Sequence, residues 1–198
     1  PAVASNSHIS AAILAGTVIG SQAPDFDSIL RMKGNAFYIR NHRGLSHSLP
    51  AIALWSLLIS GVLYLVFPNL PMDHVLFWVF VSVFVHVLTD LFNPYGTQVL
   101  RPITDKWIAW NVIHIFDPVI FFSHLIAVFL WAFGLKEPHT IFPVLYGFLV
   151  VYFIWRTWEH RRLEKSLPEK DSQNRPGDQY VLIPTFYPWA WNVVKKRP

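Results

Sequence analysis

The sequence predicts an all-α membrane protein: a polytopic bundle of four to five transmembrane or half-spanning helices, followed by a short C-terminal cytoplasmic tail with β character. Three observations carry that expectation. Charged residues make up 14% of the 198-residue chain, against roughly 25% in soluble domains. Apolar residues, 53% of the total, gather into uncharged runs close to the ~20 residues that cross a bilayer as helix. Lys and Arg gather in alternate connections between those runs, the asymmetry expected of a multi-pass protein.

Taken in order, residues 8–20 are small and apolar. Such a run rises only about 20 Å as helix, short of a ~30 Å hydrocarbon core, so it reads as a half-span or a buried helix. Its Gly and Ala content suits close packing in lipid. Residues 21–47 read as a polar connection. Pro24 biases Ala23 away from helix, and Gly34, Asn35, Asn41 and Gly44 favour turns. Residues 48–67 make the first clear span, with Pro50 tolerated in its first turn, and 68–71 make a short turn. Residues 74–92 are the second span, closed by Asn93-Pro94-Tyr95-Gly96, with a polar loop over 93–110. A third span is expected over 111–135, interrupted at Asp117-Pro118. A fourth covers 141–158 and ends in Trp155-Arg156-Thr157-Trp158, an interfacial pattern. The charged stretch 159–176 reads as a helix end and linker. Residues 179–194 alternate β-formers with Pro and look like the opening of a small β element left unfinished. The expected domains are thus 1–158, a helical membrane domain, and 159–198, a basic, partly β segment.

The topology follows from the cations. Loop 21–47 holds Arg31, Lys33, Arg40 and Arg43, loop 93–110 holds Arg101 and Lys106, and nine more follow from Arg156 onward. The turns at 68–73 and 136–140 share only Lys136. This places 21–47, 93–110 and the tail on the cytoplasmic side of the membrane. It also explains the net charge of +4 without a nucleic-acid partner. The absence of cysteine excludes disulfides, thiolate–zinc sites and thiol catalysis. No signal-peptide pattern is visible.

On that topology, several Asp and His residues fall at one depth. Asp25, Asp27, His42 and His47 lie in the first cytoplasmic connection. His86 and Asp90 lie near the end of a span, four residues apart and so on one helix face. Asp117 lies near the start of the next span. Ionisable groups in a span cost about 2.5–3.5 kcal/mol each on insertion scales, so they persist where they pair, bind ions or line a wet cavity. Seven candidates exceed the four ligands of one zinc, which favours two or more divalent ions bridged by a carboxylate. Imidazole with carboxylate suits Zn, Mn or Fe. Such ions activate water for hydrolysis. Arg43 and Arg101 are candidates to face an anionic group.

The blocks Gly20-Ser21-Gln22-Ala23-Pro24-Asp25-Phe26-Asp27, His42-Arg43-Gly44-Leu45-Ser46-His47-Ser48 and His86-x-x-x-Asp90-x-x-Asn93-x-x-Gly96-Thr97 resemble the YdjM/YfhP family of membrane-bound, metal-dependent hydrolases. The resemblance runs over residues 20–118. It implies an inner-membrane hydrolase with metal ligands at Asp25, His42, His47, His86 and Asp90, and further candidates at Asp27 and Asp117. The His-x-x-x-Asp pair is also similar, more loosely, to that of zinc-dependent phospholipase C and single-strand nucleases. Family members open with a Thr-His ahead of the small-residue helix. Here His8 follows Ser7 instead, which implies that a preceding segment with one more ligand is missing.

The expected activity is hydrolysis of a phosphoester or ester of a lipid at the cytoplasmic face. Asp27 and Asp117 would act as bridging ligand or base, and Arg43 or Arg101 would hold the anion. Two other readings stay open: a transporter or ion relay built on intramembrane His and Asp, and a non-catalytic scaffold acting through the basic tail. For single residues the plain alternatives are a solvated loop for His42 and His47, a buried ion pair for His86 and Asp90, and a helix cap for Asp117.

Overall fold

Apolar runs punctuated by Pro and Gly fold into helices that end close to those punctuation points. The structure, a computed structural model, describes residues 2–67 and 69–197, with side chains except at 2–7, 39 and 40. The turn expected at 68–71 includes Pro68, and Arg40 belongs to the cation tally; Pro68 and the Arg40 side chain lie outside what is described. The helices are α1 (Ala2–Gln22), α2 (Asn35–Asn41), α3 (Leu49–Val66), α4 (Met72–Phe92), α5 (Pro118–Ala132) and α6 (Pro138–Lys170), followed by strands β1 (Gln179–Pro184) and β2 (Trp191–Lys196). Among the described residues, α3, α4 and α6 are long and apolar enough to cross a membrane, and α5 is a shorter apolar helix. The protein is a helical membrane protein with a small C-terminal sheet. It forms two compact units, Pro1–Leu91 with Tyr95–Ala109, and Phe92–Pro94 with Trp110–Pro198.

The first unit packs α1, α3 and α4 around Ile52, Ile59, Leu63 and the α4 valines, with serines buried beside them and many leucines outside. Leu54, Leu57, Leu58 and Leu65 on α3 are exposed, whereas Ser56 and Ser60 are 1% and 0% exposed. That inversion is expected where lipid is as apolar as leucine and helices associate by close backbone approach. On α4, Val75, Val79, Val83 and Val87 recur every fourth residue and are fully buried, and the same face ends at Asp90. α1 reaches α4 through Gly16 and Gly20. A Cβ on Gly16 would fall 2.7 Å from Val79 Cγ2 and 2.8 Å from Leu63 Cδ1, and one on Gly20 would meet Ser82 Oγ.

α1 is longer than the 8–20 run, because residues 2–7 contain neither Gly nor Pro to stop it. The polar connection is not an open loop either. It winds through 3-10 turns at Ala23–Lys33 and Leu45–His47 with α2 between them. Pro24 sits in the first turn, where its missing N–H costs nothing, and Phe26 meets Trp55 of α3 edge to face at 6.0 Å. Ser48 caps α3, accepting from the Ala51 N–H at 3.3 Å. The stretch 95–109 folds back on itself through a bridge between Thr97 and Ile108.

In the second unit the expected span over 111–135 is shorter. Helix begins only at Pro118, where Asp117 accepts from the N–H groups of Val119 and Ile120 at 2.9 and 3.1 Å. α6 does not end at Trp158. With no Gly or Pro between residues 148 and 167, it carries on through the charged stretch to Lys170. The β element is complete, an antiparallel hairpin pairing Gln179 with Lys196 through Pro184 with Trp191. Arg156, expected at an interface with lipid, is 0% exposed. It donates to the carbonyls of Pro188 and Val112, pairs with Glu159 at 2.8 Å and lies 4.0 Å over the Trp191 ring, so it fastens the hairpin to α6.

Candidate metal centre

The close approach of α1 to α4 brings the end of α1 against His86. The His86 Nδ1–H donates to the Ser21 carbonyl at 2.6 Å. A carbonyl only accepts, so the neutral ring carries its proton on Nδ1 and its lone pair on Nε2. One turn on, Asp90 ends the buried valine face. Arg43 Nη2 holds Asp90 Oδ1 at 3.1 Å.

His47 is fixed the same way by a longer chain. The Ser46 hydroxyl donates to Asp27 Oδ2 at 2.5 Å. Its oxygen therefore accepts from His47 Nδ1–H at 2.9 Å, which leaves the lone pair on Nε2. Asp27 is the hub: Oδ1 takes the Nδ1–H of His42 at 2.6 Å and Oδ2 also accepts from the Arg43 N–H at 3.0 Å. Tyr38 stacks on His42 at 4.5 Å. This is the carboxylate-to-imidazole support that metal-ligating histidines carry, and it sets which nitrogen is presented.

Four side chains then converge. His47 Nε2 lies 3.5 Å from Asp25 Oδ1 and 3.2 Å from Asp90 Oδ2. His86 Nε2 lies 3.7 Å from Asp25 Oδ2 and 3.5 Å from Asp90 Oδ2. Each of the four offers a ligand atom, all within 4.8 Å of one another. A second group, Asp25, Asp27 and His42, meets the same limit and shares Asp25. His47 Nε2, His86 Nε2 and Asp25 Oδ1 are buried without a hydrogen-bond partner, an arrangement that costs about 1–3 kcal/mol per group unless something satisfies it. Tetrahedral Zn–N and Zn–O bonds of roughly 2.0–2.1 Å would separate neighbouring ligand atoms by about 3.3 Å. The donor set therefore fits a divalent ion in type, spacing and protonation.

The electrostatics agree. Burial pulls the His47 imidazole down, but the carboxylates of Asp25, Asp90 and Asp27 outweigh it and raise its pKa above the ordinary 6.5. The His47 imidazole, 3.5 Å away, holds Asp25 below the ordinary 3.8 against its own burial, helped by the Arg43 guanidinium. The site is a strongly anionic socket whose metal-free form attracts a proton.

Of the residues expected from sequence, Asp25, Asp27, His42, His47, His86 and Asp90 are gathered in the first unit. Arg43 is with them, 8% exposed, bound to Asp90 and 5.7 Å from the Tyr95 ring centroid. Arg101 pairs with Asp105 at 2.5 Å and its Nη1 crowds Gly44, where a Cβ would also meet the Asn41 carbonyl at 2.8 Å. The sharp turn at Arg43-Gly44 is made by Arg43, with φ 62°, while Gly44 is there for want of space. Asp117 belongs to the second unit. It stands before α5 rather than within a span, with Oδ1 capping the helix and Oδ2 accepting from Tyr152 at 2.9 Å. Three contributors escaped sequence reasoning: the Ser21 carbonyl, the Ser46 hydroxyl and Arg43 as partner of Asp90. Ser46 lies beside His47, and Arg43 stood out in the sequence as a residue for an anion rather than for Asp90; the Ser21 carbonyl left no trace.

Comparison with known proteins adds the family. Residues 2–163 match the family described as YdjM inner membrane protein. The chain is 44% identical over 193 residues to the uncharacterized protein YfhP of Bacillus subtilis (strain 168), covering 98% of this chain. It spans 58% of that relative's length. No solved structure matches it. The match over most of its length means that the chain belongs to the YdjM inner membrane protein family.

Proposed function

We propose that the protein is a metal-dependent hydrolase of the bacterial inner membrane, cleaving a phosphoester or ester of a lipid on the cytoplasmic side. The observation that carries this reading is the convergence of Asp25, His47, His86 and Asp90, with buried nitrogens and an oxygen that nothing in the protein satisfies. The cytoplasmic side rests on the distribution of Lys and Arg, and the lipid substrate on the site's origin at the ends of α1 and α4. Zinc suits two imidazoles and two carboxylates, with Mn or Fe as alternatives. Asp25, Asp27 and His42 are the residues that would hold a second ion.

A bound divalent ion supplies a water of lowered pKa and polarises the ester or phosphoryl oxygen. The side chains do the rest. Arg43 neutralises Asp90 and keeps that carboxylate aimed inward. Asp27 and Ser46 hold His47 with its Nε2 lone pair presented, and Ser21 does so for His86. The Asp25 side chain is 41% exposed, against 0–15% for the other three, so the face beside Asp25 admits water and substrate.

The test is metal content by inductively coupled plasma analysis of the purified protein and of His86→Ala with Asp90→Ala. Vesicles of phosphatidylglycerol are then scored for released phosphate or fatty acid with added zinc or manganese. Stoichiometric metal and turnover in the parent, both absent from the variant, are expected. Near-zero metal in both proteins would end the proposal.

A further inference from the structure

The second unit carries a groove that the metal centre does not use. It is open to one side and offers about 650 Å³ along α6, within the 300–1,000 Å³ typical of ligand sites. Ile154, Trp158, Arg161 and Lys165 recur at helical spacing and so share one face of α6, over a rise of roughly 16 Å. The apolar end of the groove is walled by Phe92, Phe153 and Ile154, and the other end by Arg161, Arg162 and Lys165. Arg162 lies 5.3 Å over the Trp158 ring, at the change from one to the other.

Cations at the end of a span are ordinarily a topology signal. These differ in closing a concavity whose other end is apolar. Among the described residues none of the three is paired with a carboxylate, and the nearby Glu159 is held by Arg156 at 2.8 Å. The polarity gradient along the groove is that of a phospholipid: acyl chain, glycerol level with an indole, phosphate. Basic pockets at this level recognise acidic head groups, on the order of 1 kcal/mol for each Lys or Arg.

We propose that this groove seats one anionic phospholipid, its acyl chain along Phe153 and Ile154 and its phosphate on Arg161, Arg162 and Lys165. The seat is independent of the hydrolase reading, since every lining residue belongs to the second unit.

The experiment is native mass spectrometry of the full chain in detergent. It is titrated separately with dioleoylphosphatidylglycerol, dioleoylphosphatidylcholine and inorganic phosphate. One retained phosphatidylglycerol per chain is expected, with phosphatidylcholine lost at the same concentration and phosphate unable to displace the lipid. The combined Arg161→Gln, Arg162→Gln and Lys165→Gln variant removes exposed charges only, so folding is not at stake. It is expected to bind phosphatidylglycerol roughly tenfold or more weakly. A control with equal charge loss, Lys170→Gln, Arg175→Gln and Lys196→Gln, is expected to bind as the parent does. Equal retention of both lipids, unchanged binding by the groove variant, or equal weakening in the control would each overturn the proposal. Displacement by inorganic phosphate would also overturn it, as the mark of a site for free anions.

Discussion

One hydroxyl, Ser46 Oγ, decides which nitrogen of His47 carries the proton. Because it donates to Asp27 it has only lone pairs left for His47. Ser46→Ala removes that instruction while leaving every proposed ligand in place. Zinc affinity, read by competition with a chromophoric chelator, should fall roughly 10–100-fold, the usual cost of losing such outer support, with helix content unchanged. Parent-like affinity would show that the chain is not needed.

Acidity acts on the same residue. The raised pKa of His47 means that its proton persists above the ordinary 6.5, and a protonated nitrogen cannot ligate. Zinc affinity should therefore climb with pH through the imidazole range and level off above the raised value. Asp25, held below 3.8, is already ionised there and adds no slope. In Asp25→Asn, which removes the largest raising contact, the inflection should move to lower pH. In the metal-free protein the same shift stabilises the fold below the ordinary imidazole pKa, and that contribution is lost as pH rises through the folded one. A pH-independent zinc affinity would contradict this account.

His86 and Asp90 stood out in the sequence because ionisable groups within an apolar run are costly and need a reason. The Ser21 carbonyl was not, because a backbone group has no sequence signature and its use depends on where two helices touch.

At the scale of elements, the α1–α4 contact sets the position of the site. Gly16 faces Val79 and Leu63 with no room for a side chain. Gly16→Leu should lift α1 from α4, costing about 1–3 kcal/mol as other overpacked interiors do. Denaturant unfolding in detergent micelles measures the loss. Because α1 delivers Ser21 to His86, metal retention should fall in parallel. A variant as stable as the parent would mean that the helices do not meet through this glycine.

Helix identity here was readable from apolar runs, but helix limits were not. α5 loses its first turns to Asn111 through Asp117, where Asp117 caps and Pro118 starts the helix. α6 gains twelve residues beyond Trp158, because charge does not stop a helix and the run from 148 to 167 holds neither Gly nor Pro. The β character of 179–194 was legible, but its closure into a hairpin was not, for a related reason. Its strands are separated by Thr185 to Ala190, a turn rich in aromatics and Pro with no short hairpin signature.

For the whole molecule, the alternation of cations predicts sidedness that labelling can read. The chain has no cysteine, so single substitutions report cleanly. Lys136→Cys, between α5 and α6, should react with a membrane-impermeant maleimide in intact cells. Ser172→Cys, after α6, should react only once the inner membrane is opened. The reverse pattern would turn the protein over and move the proposed chemistry to the other compartment. At 33 residues, α6 measures about 50 Å, against a hydrocarbon core of about 30 Å. Its basic third therefore stands clear of the hydrocarbon.

Arg156 makes α6 and the hairpin answerable to each other. Its guanidinium is roofed by Trp191 and donates to the Pro188 carbonyl, both supplied from beyond residue 180. A chain cut after Lys170 would uncover a cation built to be covered and strip it of an acceptor. Truncation inside this segment thus injures the preceding helix, and residues 171–197 are best kept in any shortened version of the protein.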